Sequence, residues 1–378
     1  MLSVVIIAIV GLLIGSFANV VIHRLPRGAS IVYPGSACPD CKHPIRPWHN
    51  VPVLSWLVLR GRCWHCQAPI SGRYPLVELL VAGGFVLLAL RWPVEVYGVT
   101  VLPLLAVFAA LVMMSVIDID HYLLPDSLTL PALVVAVLGA FVYHPATGLP
   151  GTGDAVFAAG LGAGIIVLVN RIGSLVLRRL ADTKERLWPV GMDQVNIAAV
   201  AGAFGGWLAG LIAAGASILA NLVAGWPLRI SEPVIYGAWL AALVIGIVAP
   251  WIDPVGAISG SLVAAGGVAV LGALYWWITE LAGSGPAETS QAADDDEPIA
   301  MGFGDVKLAA VLGAVLGWEN LLVALFLSFI FGAAGGLTVR LLGGSRQVPF
   351  GPYLVLGGLV ALFYGGVLIE WYLGQLGL

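Results

Sequence analysis

Charged residues are scarce in this sequence: Asp, Glu, Lys and Arg together make up 10% of its 378 residues, while 60% are hydrophobic. Soluble domains carry about a quarter charged residues, so this scarcity excludes an ordinary soluble domain and predicts a membrane protein. Cysteine is also rare, and all four residues lie between Cys38 and Cys66, which excludes a disulfide-dense secreted scaffold. A basic excess is missing too, since the net charge is −4, and nucleic acid is not an expected partner.

Apolar runs long enough to cross about 30 Å of hydrocarbon recur along the chain and predict an all-α polytopic membrane protein. No basic residue precedes the first run, whereas His23, Arg24 and Arg27 follow it. This run is therefore predicted to be a retained span with its N-terminus outside. The clear runs are residues 4–22, 76–92, 99–117, 127–145, 155–177, 234–252, 256–279, 321–342 and 352–373.

Two further apolar stretches resemble each other. Val195–Trp207 aligns without a gap on Val306–Trp318 with eight of thirteen positions identical, which indicates a duplicated segment, although Gly/Ala-rich helices can also match by chance. Residues 305–342 read as a short helix followed by a longer one, so 195–224 is predicted to be a cramped copy of that hairpin. About twelve crossings result, and they keep all Lys and Arg residues except Arg91 on or near the cytoplasmic side, as the positive-inside rule requires.

The cysteines form two C-x-x-C pairs in the polar segment 23–75, which is predicted to be a small cytoplasmic domain. Cys38, Cys41, Cys63 and Cys66 have the spacing of a four-thiolate zinc site, whose closed coordination sphere makes the metal structural. A pair of disulfides and a thioredoxin-like redox pair are the alternatives, disfavoured by a reducing cytoplasm and by the missing βαβ pattern. His43, His49 and His65 are close enough in sequence to replace a cysteine ligand, but with four thiols available they are expected to be exposed or to lie around the ligands.

Two acidic motifs lie at predicted span ends, where ionisable residues are costly to keep. Asp118, Asp120, His121 and Asp126 follow one span, and Asp305 follows Gly302 and Gly304 at the start of another. Two carboxylates sharing a proton supply one acid and one base, which suits peptide hydrolysis without a metal. The glycines would let a substrate backbone approach closely. Helix N-capping is the plainer alternative for Asp305 and the preferred one for Asp126. For Asp120 and His121 the alternative is an ordinary interfacial polar residue.

At this point the chain resembles the type IV prepilin peptidases, which are Gly-x-Gly-Asp intramembrane aspartic proteases. The resemblance rests on ordered motifs across most of the chain: Gly15–Pro26, the two cysteine pairs, Tyr74-Pro75-x-x-Glu78, Asp118 through Pro125-Asp126, Gly302–Lys307 and Pro349–Pro352. In that family the first catalytic Asp lies seven residues before the proline of a Leu-Pro pair, which selects Asp118. The second is the Asp of Gly-x-Gly-Asp, here Asp305.

The resemblance implies cleavage of prepilins, or of type II secretion pseudopilins, at the cytoplasmic face of the bacterial inner membrane. It also implies S-adenosylmethionine-dependent N-methylation of the new N-terminal residue, because family members with the cysteine domain are commonly bifunctional. Pilus or secretion assembly machinery would be a further partner, besides the lipid bilayer. No residue in the sequence identifies a binding site for the methyl donor.

The resemblance also implies a division of the chain: eight spans correspond to the peptidase family, and four further spans form a duplicated insert. The predicted parts are 1–22 (first span), 23–75 (zinc domain and methyltransferase part), 76–182 (peptidase helices with Asp118), 183–282 (extra helices), 283–300 (acidic cytoplasmic loop) and 301–378 (peptidase helices with Asp305). In the extra copy the position of Asp305 is Gln194, next to Asp193, so this copy is expected to be catalytically silent.

Two other functions fit the composition. A transporter or channel would also combine internal repeats, glycine-rich spans and intramembrane carboxylates, although such sites usually lie at the membrane midplane rather than at span ends. A nonenzymatic membrane anchor for pilus machinery would tolerate loss of both carboxylates.

Overall fold

A computed structural model describes residues 2–176, 189–225, 236–241, 244–245, 253–282, 302–342 and 348–377. Within these ranges eight helices are long and apolar enough to cross a membrane, which confirms an all-helical polytopic protein. The predicted total of twelve crossings stays a prediction, because the predicted acidic loop at 283–300 and most of the predicted span 234–252 lie outside the described residues. The eight helices are Leu2–Arg27, Arg73–Arg91, Val94–His121, Thr152–Gly173, Met192–Ala224, Pro254–Leu281, Phe303–Leu341 and Gly351–Leu376.

The described helices are numbered here in chain order by their hydrogen-bonded bounds. They are α1 (Leu2–Arg24), α2 (Leu54–Val58), α3 (Arg73–Arg91), α4 (Val94–Tyr97), α5 (Val101–His121), α6 (Asp126–Gly139), α7 (Thr152–Val176), α8 (Met192–Ala224), α9 (Pro254–Leu281), α10 (Phe303–Leu341) and α11 (Gly351–Leu376).

Helix α8 doubles back on itself rather than crossing once. Its backbone leaves the helical region at Gly206, where φ is 77° and ψ is 170°. Gln194 Nε2 then donates to Ser217 Oγ at 3.4 Å, although 23 residues separate them. A straight helix of that length would hold the two about 35 Å apart. The segment is therefore a hairpin, as the sequence predicted.

Helix α10 has the same break at the matching position. Gly317 has φ of 74° and ψ of 169°, and it aligns with Gly206 in the predicted repeat. Residues on both sides of this break pack against Gly162 of α7. A Cβ built on Gly162 would lie 2.5 Å from the carbonyl oxygen of Ala309, before the break, and 3.2 Å from Cδ2 of Leu321, after it. Positive φ favours glycine, because other residues are strained there. The shared break favours duplication over chance similarity.

Helix α6 is shorter than the sequence suggested. The apolar run predicts a span over 127–145, but the helix ends at Gly139. Beyond it the Thr100 hydroxyl donates to the Val142 carbonyl at 2.9 Å, and the Trp92 indole N–H donates to the Thr147 carbonyl at 3.1 Å. These hydrogen bonds satisfy carbonyls in a non-helical connection, so the backbone there does not need to continue as helix.

The structure divides into two compact units, and the first comprises Met1–Leu149 with Gly332–Leu356. Within it α1 packs closely on α3, where a Cβ on Gly15 would lie 2.6 Å from the Glu78 Cα. The Glu78 carboxylate accepts the Val53 backbone N–H at 2.7 Å, and Asn19 Nδ2 donates to the Tyr74 carbonyl at 3.0 Å. The first bond attaches the cysteine-containing segment to α3, and the second joins α1 to the start of α3.

The second unit comprises Pro150–Phe331 with Gly357–Leu378. Small residues let its helices approach at backbone distance, as is common between membrane helices. A Cβ on Gly266 of α9 would lie 2.0 Å from the Gly160 carbonyl oxygen of α7, and one on Gly202 of α8 would lie 2.5 Å from the Gly260 carbonyl oxygen. Helix α9 is thus in direct contact with both α7 and the α8 hairpin.

Candidate active site and metal centre

Asp118 lies in the last turn of α5 and is 6% exposed. The helix ends three residues later at His121, and Tyr122 adopts a left-handed conformation with φ of 53°, its N–H donating to the Asp118 carbonyl at 2.9 Å. The side chain itself is held from another element of the same unit. The backbone N–H of Gly351, the first residue of α11, donates to Asp118 Oδ2 at 2.9 Å.

Asp305 lies in the first turn of α10 and is 7% exposed. Its Oδ2 accepts the backbone N–H of Gly302 at 3.2 Å, which satisfies one of the donors that a helix N-terminus leaves unpaired. Asp305 is therefore not the N-cap residue of the plainer alternative: it is the third residue of the helix, and its side chain reaches back to the N–H of Gly302 before the helix. A buried carboxylate at this position also benefits from the positive end of the helix dipole.

The two predicted catalytic residues thus share a local arrangement, although Asp118 belongs to the first unit and Asp305 to the second. Each carboxylate is almost fully buried, each lies at one end of an apolar helix, and each accepts a glycine N–H. A buried carboxylate that keeps hydrogen-bond donors can change protonation during a reaction. Their joint action on one substrate stays a prediction.

The two acidic residues that follow Asp118 in its motif make contacts typical of helix ends and membrane interfaces. Asp120 forms an ion pair with Arg73 at 2.5 Å, and both side chains are partly exposed, in agreement with an interfacial role. Asp126 is the first residue of α6, preceded by Pro125 at the N-cap position, so it is not the N-cap residue that the sequence suggested. Its charge still lies at the favourable end of the helix dipole.

The second copy of the motif reproduces the hydrogen bond without the acid. The Gly191 N–H donates to Gln194 Oε1 at 2.8 Å, as the Gly302 N–H does to Asp305. Gln194 is 2% exposed and its amide nitrogen is used by Ser217. An uncharged amide cannot exchange a proton as a carboxyl can, so this copy offers hydrogen bonding and packing.

The four cysteine sulfurs lie within 4.8 Å of one another. A tetrahedral zinc with Zn–S bonds of about 2.3 Å requires sulfurs about 3.8 Å apart. The Sγ atoms of Cys38 and Cys66, one from each pair, are 3.8 Å apart, and the thiols are free rather than joined in disulfides. The donor set and its spacing therefore fit a zinc ion held by Cys38, Cys41, Cys63 and Cys66.

The two cysteine pairs belong to knuckles with the same backbone geometry. The N–H of Cys38 donates to the His43 carbonyl at 3.0 Å, and that of Cys63 to the Ala68 carbonyl at 2.8 Å. Each knuckle turns at a residue with positive φ, 57° at Lys42 and 61° at Gln67. The backbone N–H groups of Cys66 and His65 lower the pKa of the Cys63 thiol to about 7. At Cys66 the Ala68 N–H acts in the same direction, but burial and the neighbouring thiols outweigh it and raise the pKa of that thiol to about 12. The case for a metal site therefore rests on the sulfur geometry.

The nearby imidazoles are not part of the sulfur cluster. The His43 and His65 rings stack on each other with centroids 4.3 Å apart, and both side chains are exposed. His49 packs against Trp64 instead, at 4.9 Å between ring centroids. The expectation that the histidines are not primary ligands agrees with this arrangement.

Sequence reasoning gave Gly351 no role in the active site. It noted Pro349–Pro352 as a motif, but nothing in the sequence says that this segment contacts Asp118, which lies 233 residues earlier. The only available signal was a glycine between aromatic and proline residues directly before an apolar helix, a pattern that many helix starts share.

Comparison with known proteins identifies the family of this chain. Residues 9–92 match the bacterial peptidase A24 N-terminal domain, and residues 105–226 and 231–337 match the type IV leader peptidase family. The prepilin leader peptidase/N-methyltransferase of Aeromonas hydrophila is 31% identical, over 96% of this chain and 91% of its own length. Those of Burkholderia pseudomallei and Pseudomonas aeruginosa are 37% and 28% identical, over 62% and 97% of this chain and 81% and 91% of their own lengths. No solved structure matches the chain. The chain belongs to the type IV leader peptidase family.

Proposed function

We propose that this protein is a bifunctional membrane enzyme that cleaves the basic leader from prepilins or pseudopilins and then N-methylates the new N-terminal residue. The observation that carries the peptidase part is the matched pair of buried carboxylates, Asp118 and Asp305, each at a helix end and each held by a glycine N–H. The relatives named as prepilin leader peptidase/N-methyltransferases support both activities.

In the proposed hydrolysis Asp118 and Asp305 share one proton. The ionised carboxylate takes a proton from water while the water oxygen bonds to the scissile carbonyl carbon, and the other carboxyl group protonates the carbonyl oxygen. Proton return to the peptide nitrogen then breaks the C–N bond, releasing leader and mature pilin. Gly302 and Gly304 would leave space for the substrate backbone beside Asp305.

Zinc in the four-cysteine site would supply stability rather than chemistry. Four thiolates fill a tetrahedral coordination sphere, and metal binding contributes folding free energy in small domains that bury little apolar surface. Residues 23–75 carry few aliphatic side chains, which makes such a contribution useful. The methyl donor would be S-adenosylmethionine, on the strength of the relatives' names.

The proposed setting is the bacterial inner membrane, with the active site at the cytoplasmic face and twelve crossings. The positive-inside distribution of Lys and Arg supports this orientation, and the hairpin of α8 supports two crossings over 195–224. Assembly machinery of pili or of type II secretion would receive the processed substrate. The transporter alternative gains no support from the comparisons, which match peptidases.

The deciding experiment measures prepilin cleavage by wild-type, Asp118→Asn and Asp305→Asn proteins in membranes, with methyl incorporation into a pre-cut pilin as the second readout. Loss of cleavage in both variants, with methylation kept, is expected. Cleavage by either variant at the wild-type rate would overturn the assignment of Asp118 and Asp305 as catalytic residues. Absence of methylation by the wild-type protein would overturn the proposed second activity.

A further inference from the structure

The Pro349–Pro352 motif has no part in the hydrolysis described above, yet it meets the active site directly. Gly351 is buried and begins α11, where its N–H has no partner within the helix. That N–H donates to Asp118 Oδ2 at 2.9 Å. A carboxylate with one oxygen held in this way has a restricted orientation.

The same contact leaves no room for a side chain at position 351. A Cβ built on Gly351 would lie 2.6 Å from Asp118 Oδ2 and 3.5 Å from Leu124 Cδ2. The distance to Leu124 is an ordinary contact, but real Cβ atoms essentially never come within 2.6 Å of another atom, so a larger residue must displace the carboxylate or the helix start. The absence of a side chain is thus a requirement of the contact with Asp118.

Neighbouring packing keeps the start of α11 in place. A Cβ on Gly332 of α10 would lie 3.2 Å from the Phe350 ring, and one on Gly335 would lie 2.1 Å from the Tyr353 hydroxyl. Both α10 positions belong to the same unit as Asp118 and Gly351. The residues on either side of Gly351 are therefore packed against α10, which restrains the N–H that reaches Asp118.

We propose that Gly351 is a positioning residue for peptide hydrolysis, which fixes the Asp118 carboxylate through its N–H and through its lack of a side chain. This inference rests on the proposed peptidase function and gives the Pro349–Pro352 motif a mechanistic part. Displacement of a reacting group by about 1 Å can cost on the order of a hundredfold in rate. The effect should fall on the chemical step, since Gly351 acts through Asp118.

The test compares cleavage kinetics of wild-type protein, Gly351→Ala and the matched control Gly366→Ala. Gly366 lies on the same helix, is exposed, and an added Cβ there meets nothing within 4 Å. Gly351→Ala is expected to lower kcat by about ten- to a hundredfold, as expected for a displaced reacting group, with KM within about twofold of wild type. Gly366→Ala should match wild type in both constants.

Methyl transfer to a pre-cut pilin reports whether Gly351→Ala is folded. If its yield is low, kcat is expressed per folded molecule, with the folded fraction measured by thermal unfolding in detergent. Wild-type kcat in a folded Gly351→Ala variant would overturn the inference, as would a rise in KM alone. Inactivity of Asp118→Asn alongside normal Gly351→Ala kinetics would leave the proposed function standing and remove only the role of Gly351.

Discussion

The Gly191 N–H donates to the side-chain oxygen of Gln194 at 2.8 Å, and the equivalent pair in the other repeat is Gly302 and Asp305, at 3.2 Å. The two copies therefore keep the same hydrogen bond at the helix start, while only Asp305 is ionisable at this position. The hydrogen bond explains why a polar residue remains at a position that is 2% exposed. Without a partner, a buried N–H there would cost about 1–3 kcal/mol.

Gln194→Ala should destabilise the protein by about 1–3 kcal/mol and leave kcat per folded molecule unchanged. The variant removes the acceptor for Gly191 and the donor to Ser217 but no proton-exchanging group. Thermal unfolding in detergent measures the first effect and cleavage kinetics the second. Asp193→Ala is the companion variant and should cleave normally; abolished cleavage there, with Asp305→Ala still active, would reverse the assignment.

Asp120→Asn should retain cleavage, in contrast to Asp118→Asn. Asp120 is partly exposed and paired with Arg73, and exposed ion pairs contribute about 0–1 kcal/mol to stability. The two variants differ by two positions and carry the same chemical change, so each controls for the other. Loss of cleavage in Asp120→Asn with activity in Asp118→Asn would show that the wrong carboxylate of this motif had been selected.

Cys63→Ala should abolish stoichiometric zinc and lower the melting temperature, because it removes one of four ligands with sulfurs within 4.8 Å of one another. Metal content by mass spectrometry and thermal unfolding measure the two effects. His65→Ala is the matched control, since its ring stacks on His43 outside the sulfur cluster and its loss should leave zinc content unchanged. A zinc-free wild-type protein of full stability would contradict a structural metal.

Gly266→Ala should destabilise the second unit by about 1–3 kcal/mol or more, since inserted volume in a packed interface forces backbone shifts. The new Cβ would lie 2.0 Å from a backbone oxygen of Gly160, which cannot turn aside as a side chain can. Gly215→Ala, where an added Cβ meets nothing within 4 Å, is the control and should unfold like wild type. Equal melting temperatures for the two variants would contradict the close approach of α7 and α9.

Composition and local pattern were sufficient for the class of this protein, whereas the family resemblance was needed to select Asp118 among the acids of its motif. Apolar runs separated by short polar segments allow only helices in lipid, because every backbone N–H and C=O must be paired there. The spacing of Cys38, Cys41, Cys63 and Cys66 predicted a cluster that the fold assembles, since each C-x-x-C knuckle is a local structure. The hairpin at 195–224 was also predicted from the sequence, because the apolar run is long for one crossing and its first part matches residues 306–318.

Tertiary structure decided which distant groups meet. No local pattern states that the Gly351 N–H reaches Asp118, because that hydrogen bond joins elements 233 residues apart and depends on how α11 begins. Beyond the early end of α6 at Gly139, the Thr100 hydroxyl likewise satisfies the Val142 carbonyl from another part of the chain. Sequence specifies which side chains are available, whereas long-range packing specifies the neighbours that make one of several acids suited to chemistry.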